Sequence, residues 1–225
     1  MHRSILLAIV ALPTLLPVLA SGQVLNGKLK AGQAALRNIC VMPVETDWTK
    51  VGPIGREPKP REGDEWSAQI RPVIVEALVK AGAQDSSEGI AQTNLSNDEN
   101  VRPIIFQLQQ EFDAVAKLEK GHEEGIWRGR FSLGDAVALA PCAAHADAML
   151  FVRAAVRVPP LARWATATLR LTFVDAKSGE ILAQAEVGRL RMNNDFEERP
   201  REAYLDVLVE RFREMRVGKS GGGAR

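Results

Sequence analysis

Between Ala165 and Phe173 the sequence alternates without a fault. Ala165, Ala167, Leu169, Leu171 and Phe173 fall on one side, and Thr166, Thr168, Arg170 and Thr172 on the other. A period of two is strand geometry, because successive side chains along a strand point to opposite faces. The segment is therefore a half-buried strand. Asp175-Ala176-Lys177-Ser178-Gly179 follows, with glycine where a turn most easily takes positive φ. Ile181, Ala183, Ala185 and Val187 then alternate again, so the pair predicts a β-hairpin over about residues 164 to 188.

Shorter apolar runs supply further strands. Ile39-Cys40-Val41-Met42-Pro43-Val44 and Ala148-Met149-Leu150-Phe151-Val152 are continuous, bounded by polar residues and too short for helices, so both read as buried strands. Pro43 marks the first one's end or an edge. Helical spacing appears in Trp66, Ile70, Val73, Ile74, Ala77 and Leu78, giving an amphipathic helix over Glu65 to Ala81 closed by Gly82. Pro72 either bends that helix or moves its regular start to near Arg71. The capping pattern Ser96-Asn97-Asp98-Glu99 opens a second helix running to about Glu119. A short one follows Ser132 to about Ala140, and a last one starts at Pro200 with Tyr204, Val207, Leu208, Phe212 and Met215 on one stripe. Gly52 to Gly63, rich in proline, glycine and alternating charge, reads as a mobile surface loop.

The amino terminus bears on where the chain works. Arg3 precedes an apolar run, Ile5 to Leu19, that contains Pro13 and Pro17 and ends in Ala20-Ser21-Gly22. That is the shape of a cleaved signal peptide, too short and too broken for a membrane span of about 20 residues. No cysteine stands at the cleavage point to carry a lipid, so the expected product is periplasmic or secreted, unlipidated, and not integral to a membrane. The organisation expected is a signal peptide at 1–22, a lead-in arm at 23–37, one α/β domain at 38–217 and a flexible tail at 218–225. In an oxidising compartment Cys40 and Cys142 are a disulfide candidate.

Removing residues 1–22 takes away Arg3 and leaves 28 basic residues against 28 acidic ones. The cationic stretches at Arg56 to Arg61 and Arg199 to Arg216 are interleaved with glutamates. Nucleic acid is therefore not an expected partner, since its recognition leaves a basic footprint.

The hairpin Leu169-Arg170-Leu171-Thr172-Phe173-Val174-Asp175-Ala176-Lys177-Ser178-Gly179-Glu180-Ile181-Leu182, with the strands at 38–44 and 146–152, resembles a bacterial envelope α/β domain. The type is that of the curli-secretion lipoprotein family and the amino-terminal domain of the Tol translocation protein. The resemblance implies an α/β (α+β) fold with a mixed sheet, of about four to five strands here, and helices packed mainly on one face. It further implies a binding or assembly module rather than an enzyme, and it carries over no functional residue one by one.

The residues themselves offer little catalytic chemistry. Outside the signal segment only His122 and His145 remain, and no Gly-x-Ser-x-Gly nucleophile turn is present. Cys142, His145 and Asp147 could approach a zinc site but lack a second cluster. No phosphate loop with its Lys-Ser/Thr pair opens a helix, so no cofactor is expected. Trp66 belongs to a helix stripe, whereas Trp48, Trp127 and Trp164 fall in expected loops or strand edges and are the candidates for a partner surface. The reading is an exported, non-catalytic envelope module that binds a protein, or alternatively a glycan or lipid, through loops around 46–64, 121–130 and 158–164. The alternatives are a hydrolase-like enzyme of unrecognised class and a carrier of a small apolar ligand.

Overall fold

The computed structural model describes residues 23–53, 55–87, 100–119, 125–126, 128–160, 164–193 and 200–216. The expected signal segment, the Ser96-to-Glu99 cap, Trp127 and the tail at 218–225 lie outside them. In chain order the described elements are β1 (Gln23–Leu25), α1 (Gly27–Lys30), β2 (Asn38–Val41), β3 (Glu45–Gly52), β4 (Gly55–Pro58), α2 (Pro60–Lys80), β5 (Gln84–Asp85), α3 (Val101–Glu119), a 3-10 turn (Gly134–Leu139), β6 (Ala148–Val158), β7 (Trp164–Asp175), β8 (Ile181–Asn193) and α4 (Pro200–Arg216).

β6 is the spine of one mixed sheet. On one side it runs antiparallel to β7, which continues to β8 and then β1. On the other side it is parallel to β2 over its first residues and to β3 over its last. Val41 pairs with Leu150 and Glu45 with Arg153, so Met42-Pro43-Val44 spans what Phe151 and Val152 cover on β6. The extra residue is a bulge at a proline that has no N–H to give the ladder. Pro43 therefore interrupts the pairing, and β3 resumes it.

The described sheet has eight strands, not four to five. The extra ones lack a hydrophobic signature because they are edges or stand against solvent. β4 and β5 are exposed along their length, and β1 buries only Leu25. The segment at Gly52 to Gly63, read as a loop, instead closes a β3–β4 hairpin and starts α2 at Pro60. Pro72 stands inside α2 on its exposed side, where a carbonyl denied its helix bond by the missing N–H can turn to water.

Helices cover both faces, which corrects the expectation of packing mainly on one. Alternation along β2 and β6 sends Ile39, Val41, Leu150 and Val152 into a core with α2 and α4, where Trp66 meets Tyr204 edge-on at 6.0 Å. Cys40, Met42, Met149 and Phe151 point the other way, to a second core with Ile105, Leu108 and Phe112 of α3 and Val137 of the 3-10 turn. Such double-sided covering explains why the strand runs at 39–42 and 148–152 are continuously apolar. Cys40 and Cys142, both buried, are joined in the second core with their Cα atoms 6.0 Å apart.

The hairpin turn that carries the family-like words is a structural node. Asp175 Oδ1 accepts from the Lys177 and Ser178 amides at 2.9 and 2.7 Å. Gly179 takes φ +69°, and a Cβ there would lie 2.4 Å from the Gly134 carbonyl oxygen. Glu180, nearly buried, accepts from the Asn26 amide at 3.1 Å and pairs with Lys28. Asn26 in turn caps α1 through the Lys28 amide at 2.8 Å. Residues 23 to 30 of the expected lead-in arm are thus tied into the sheet.

Candidate functional site

Along the second sheet face α3 reaches Phe151 and, through Phe112 and Asp113, Arg153. Phe112 stacks on Phe151 with ring centroids 4.4 Å apart, and the Arg153 guanidinium rests over the Phe112 ring at 4.8 Å. Beyond this column Ala155 and Arg157 of β6 and Thr166, Thr168 and Arg170 of β7 have no helix above them among the described residues and are partly or fully exposed. The bare half-face holds a cleft of about 520 Å³, lined by Glu45, Asp47, Asp113, Arg153, Thr168, Arg170 and Glu186 among others. That size falls in the range of about 300–1,000 Å³ usual for small-ligand sites.

Strand register sets its charge pattern. Glu45 pairs with Arg153, Arg153 with Arg170, and Arg170 with Glu186, so one row across β3, β6, β7 and β8 reads acid, base, base, acid. Arg153 is the more engaged arginine. Its Nε is 3.2 Å from Glu45, and its Nη2 contacts Asp113 of α3. Arg170 lies 3.8 Å from Glu186, and both side chains are about 43% exposed. Arg157 braces the far side, with Nη2 2.6 Å from Asp47 and Nη1 3.1 Å from Thr49.

The two carboxylates of β3 are held differently. Burial pushes the Glu45 carboxyl above its ordinary range, with Arg153 opposing. The hydrogen bond from Arg157 leads in holding Asp47 below its ordinary range, against a smaller opposing effect of burial. The cleft therefore offers planar guanidinium donors, a threonine hydroxyl and several carboxylates, a set suited to gripping a polar partner by paired charges.

The sequence candidates distribute unevenly around it. Trp48 is only 6% exposed, because it lies on β3 rather than in a loop and faces α2 in the first core; it is not a surface residue. Trp164 opens β7 on the side of Thr166, Thr168 and Arg170, half-buried at the end of the bare half-face. Trp127 lies outside the described residues. Cys142, bonded to Cys40, is unavailable to a metal, and among the described residues no group of three or more His, Cys, Asp or Glu side chains is placed to hold one. The residues sequence reasoning missed are Glu45, Asp113, Arg153 and Glu186. The alternation of β7 placed Arg170 on the polar side, but only the register across four strands sets it against Arg153.

No family model matches the chain, and the curli-secretion and Tol families are not found among its matches. No curated protein matches it either. Among solved structures it is similar to the lipoprotein GNA1162 from Neisseria meningitidis, at 14% identity and a TM-score of 0.35, over 78% of this chain and 94% of that one. Among the described residues no helix is long and apolar enough to cross a membrane.

Proposed function

We propose that the protein is an exported, non-catalytic binding module that engages a protein partner across the bare half of its second sheet face. The observation that carries this reading is the acid–base–base–acid row Glu45, Arg153, Arg170 and Glu186, set in an open cleft beside two helix-covered cores. A sheet face covered at one end and left polar and concave at the other is a surface the fold does not need for itself. Arginine is enriched where partners dock, and Trp164 adds an aromatic at the margin of the same face. Charged lining does not suit the carrier of an apolar ligand. Export is supported by the amino-terminal apolar run and by a buried disulfide, which persists in oxidising compartments.

This reading moves the binding surface from loops to a sheet face. The test is retention of partners from the envelope of the producing cell on immobilised protein, comparing the native chain with Arg170→Glu and Thr168→Trp. Both substitutions sit on exposed or half-exposed positions and leave the cores untouched. The expected result is one retained protein lost with both variants while thermal unfolding is unchanged. An unchanged retained set, or a retained glycan or lipid in place of a protein, would overturn the proposal.

A further inference from the structure

A second cleft, independent of the bare half-face, lies where the loop after α1 meets the end of α4. It encloses about 400 Å³, and among the described residues its lining contains Lys30, Arg37 and Arg216 but no aspartate or glutamate. Its remaining described walls are glycine, alanine and leucine. This one-sided charge contrasts with other described cations, such as Lys28 with Glu180, Lys80 with Glu76, Arg157 with Asp47 and Arg211 with Glu214.

The three cations differ in how the fold uses them. Arg216 is fixed: its Nη1 donates to the Ala81 carbonyl just past the end of α2 and lies against Gly82, where a Cβ would stand 2.7 Å away. Gly82 takes φ +86° and leaves the space the guanidinium occupies. Lys30 and Arg37 are exposed, and among the described residues their side chains have no ion-pair or hydrogen-bond partner. They are charge that the described fold does not spend on itself. The loop between them adds donors. Gly32 and Gln33 give their amides to Leu29 and Lys28, but among the described residues the amides of Ala34, Ala35 and Leu36 have no acceptor within the protein. A guanidinium, an ammonium and unspent backbone N–H groups around one concavity form the donor set that recognises a tetrahedral oxyanion.

We propose that this cleft is a phosphate-binding site, in which Arg216 and Arg37 supply guanidinium donors and Lys30 a mobile charge. The phosphate is either free or the headgroup of an anionic lipid, and the two sources present the same oxygens to the same residues.

The experiment uses the full chain with two probes, inorganic phosphate followed by amide NMR and vesicles of phosphatidylglycerol and phosphatidylcholine followed by co-sedimentation. The variant Lys30→Ser/Arg37→Ser is compared with Lys50→Ser/Lys177→Ser, which removes the same charge from exposed positions elsewhere. With about fivefold in affinity per cation at an anionic surface, the first variant is expected to lose about twenty-five-fold and the second to bind as the native chain does. Phosphate is expected to shift the amides of Ala34 to Leu36. Response to free phosphate alone assigns a soluble ligand, and response to vesicles alone assigns a lipid headgroup; either supports the site. Binding of neither probe, survival of binding in Lys30→Ser/Arg37→Ser, or equal loss in both variants would overturn it.

Discussion

Arg153 and Arg170 stand directly opposite each other on neighbouring strands, and the next residues outward in the same row are the carboxylates of Glu45 and Glu186. Like charges in direct opposition destabilise a sheet. The flanking acids, Asp113 of α3 and the Phe112 ring offset that cost on the Arg153 side, and partial exposure relieves it on the Arg170 side.

The two arginines should therefore respond differently to removal. Arg153→Ala strips Glu45 and Asp113 of their counter-charge and Phe112 of its cation, and is expected to destabilise by about 1–2 kcal/mol. Arg170→Ala removes the like-charge neighbour and should stay within about 0.5 kcal/mol of the native chain. Urea midpoints measure both; equal losses would show that the row is not asymmetric.

Acid titration should separate the two carboxylates of β3. Glu45, raised by burial, takes up its proton first as pH falls, and Asp47, lowered mainly by its bond from Arg157, takes it up last. A depressed carboxyl stabilises the fold above its unfolded pKa and loses that contribution as pH falls through the folded one. Asp47 thus supports the fold near neutral pH and loses that contribution as pH falls below its ordinary carboxylate range. Side-chain carboxyl carbon shifts report the order, and Arg157→Ala should bring Asp47 back up toward its ordinary range.

The hairpin turn offers a graded test. Gly134 and Gly179 both take positive φ, but a Cβ at Gly134 meets nothing within 4 Å, whereas at Gly179 it meets the Gly134 backbone. Gly134→Ala should cost about 1–2 kcal/mol for the left-handed backbone alone. Gly179→Ala should cost about 1–3 kcal/mol beyond that for the overlap. Equal costs, read from denaturation midpoints, would place the 3-10 turn elsewhere.

Reductant provides the next check. Cys40 and Cys142 are buried and span 102 residues of sequence. The native protein should keep its bond in reductant until denaturant opens the second core. Cys40→Ala/Cys142→Ala should then lower stability by up to about 4–5 kcal/mol in the chain-entropy account. Rapid reduction of the folded chain, read by intact mass, would contradict the buried bond.

What could be read in advance follows from where pattern carries burial. The runs at 39–42 and 148–152, the alternation at 165–173 and the stripe from Trp66 to Leu78 each declare an element, because their residues enter a core. Glu45–Gly52 did not, since one side of β3 carries Trp48 into the core while the other carries Glu45 and Asp47 toward an open cleft. β1, β4 and β5 are held as strands by their neighbours rather than by patterns of their own. The site was legible only as the polar side of β7. Which residues complete it depends on the bulge at Pro43 and on four-strand register, both tertiary facts.

The central claim, that the bare half-face is the contact surface, is tested most directly by photo-crosslinking in the producing cell. A crosslinking residue is placed in turn at Thr168, in the cleft, and at Asp206, exposed on α4 beneath the opposite face. The account predicts one discrete protein adduct from position 168, lost on Arg170→Glu, and none from 206. An adduct from 206 alone, or adducts from neither, would contradict it.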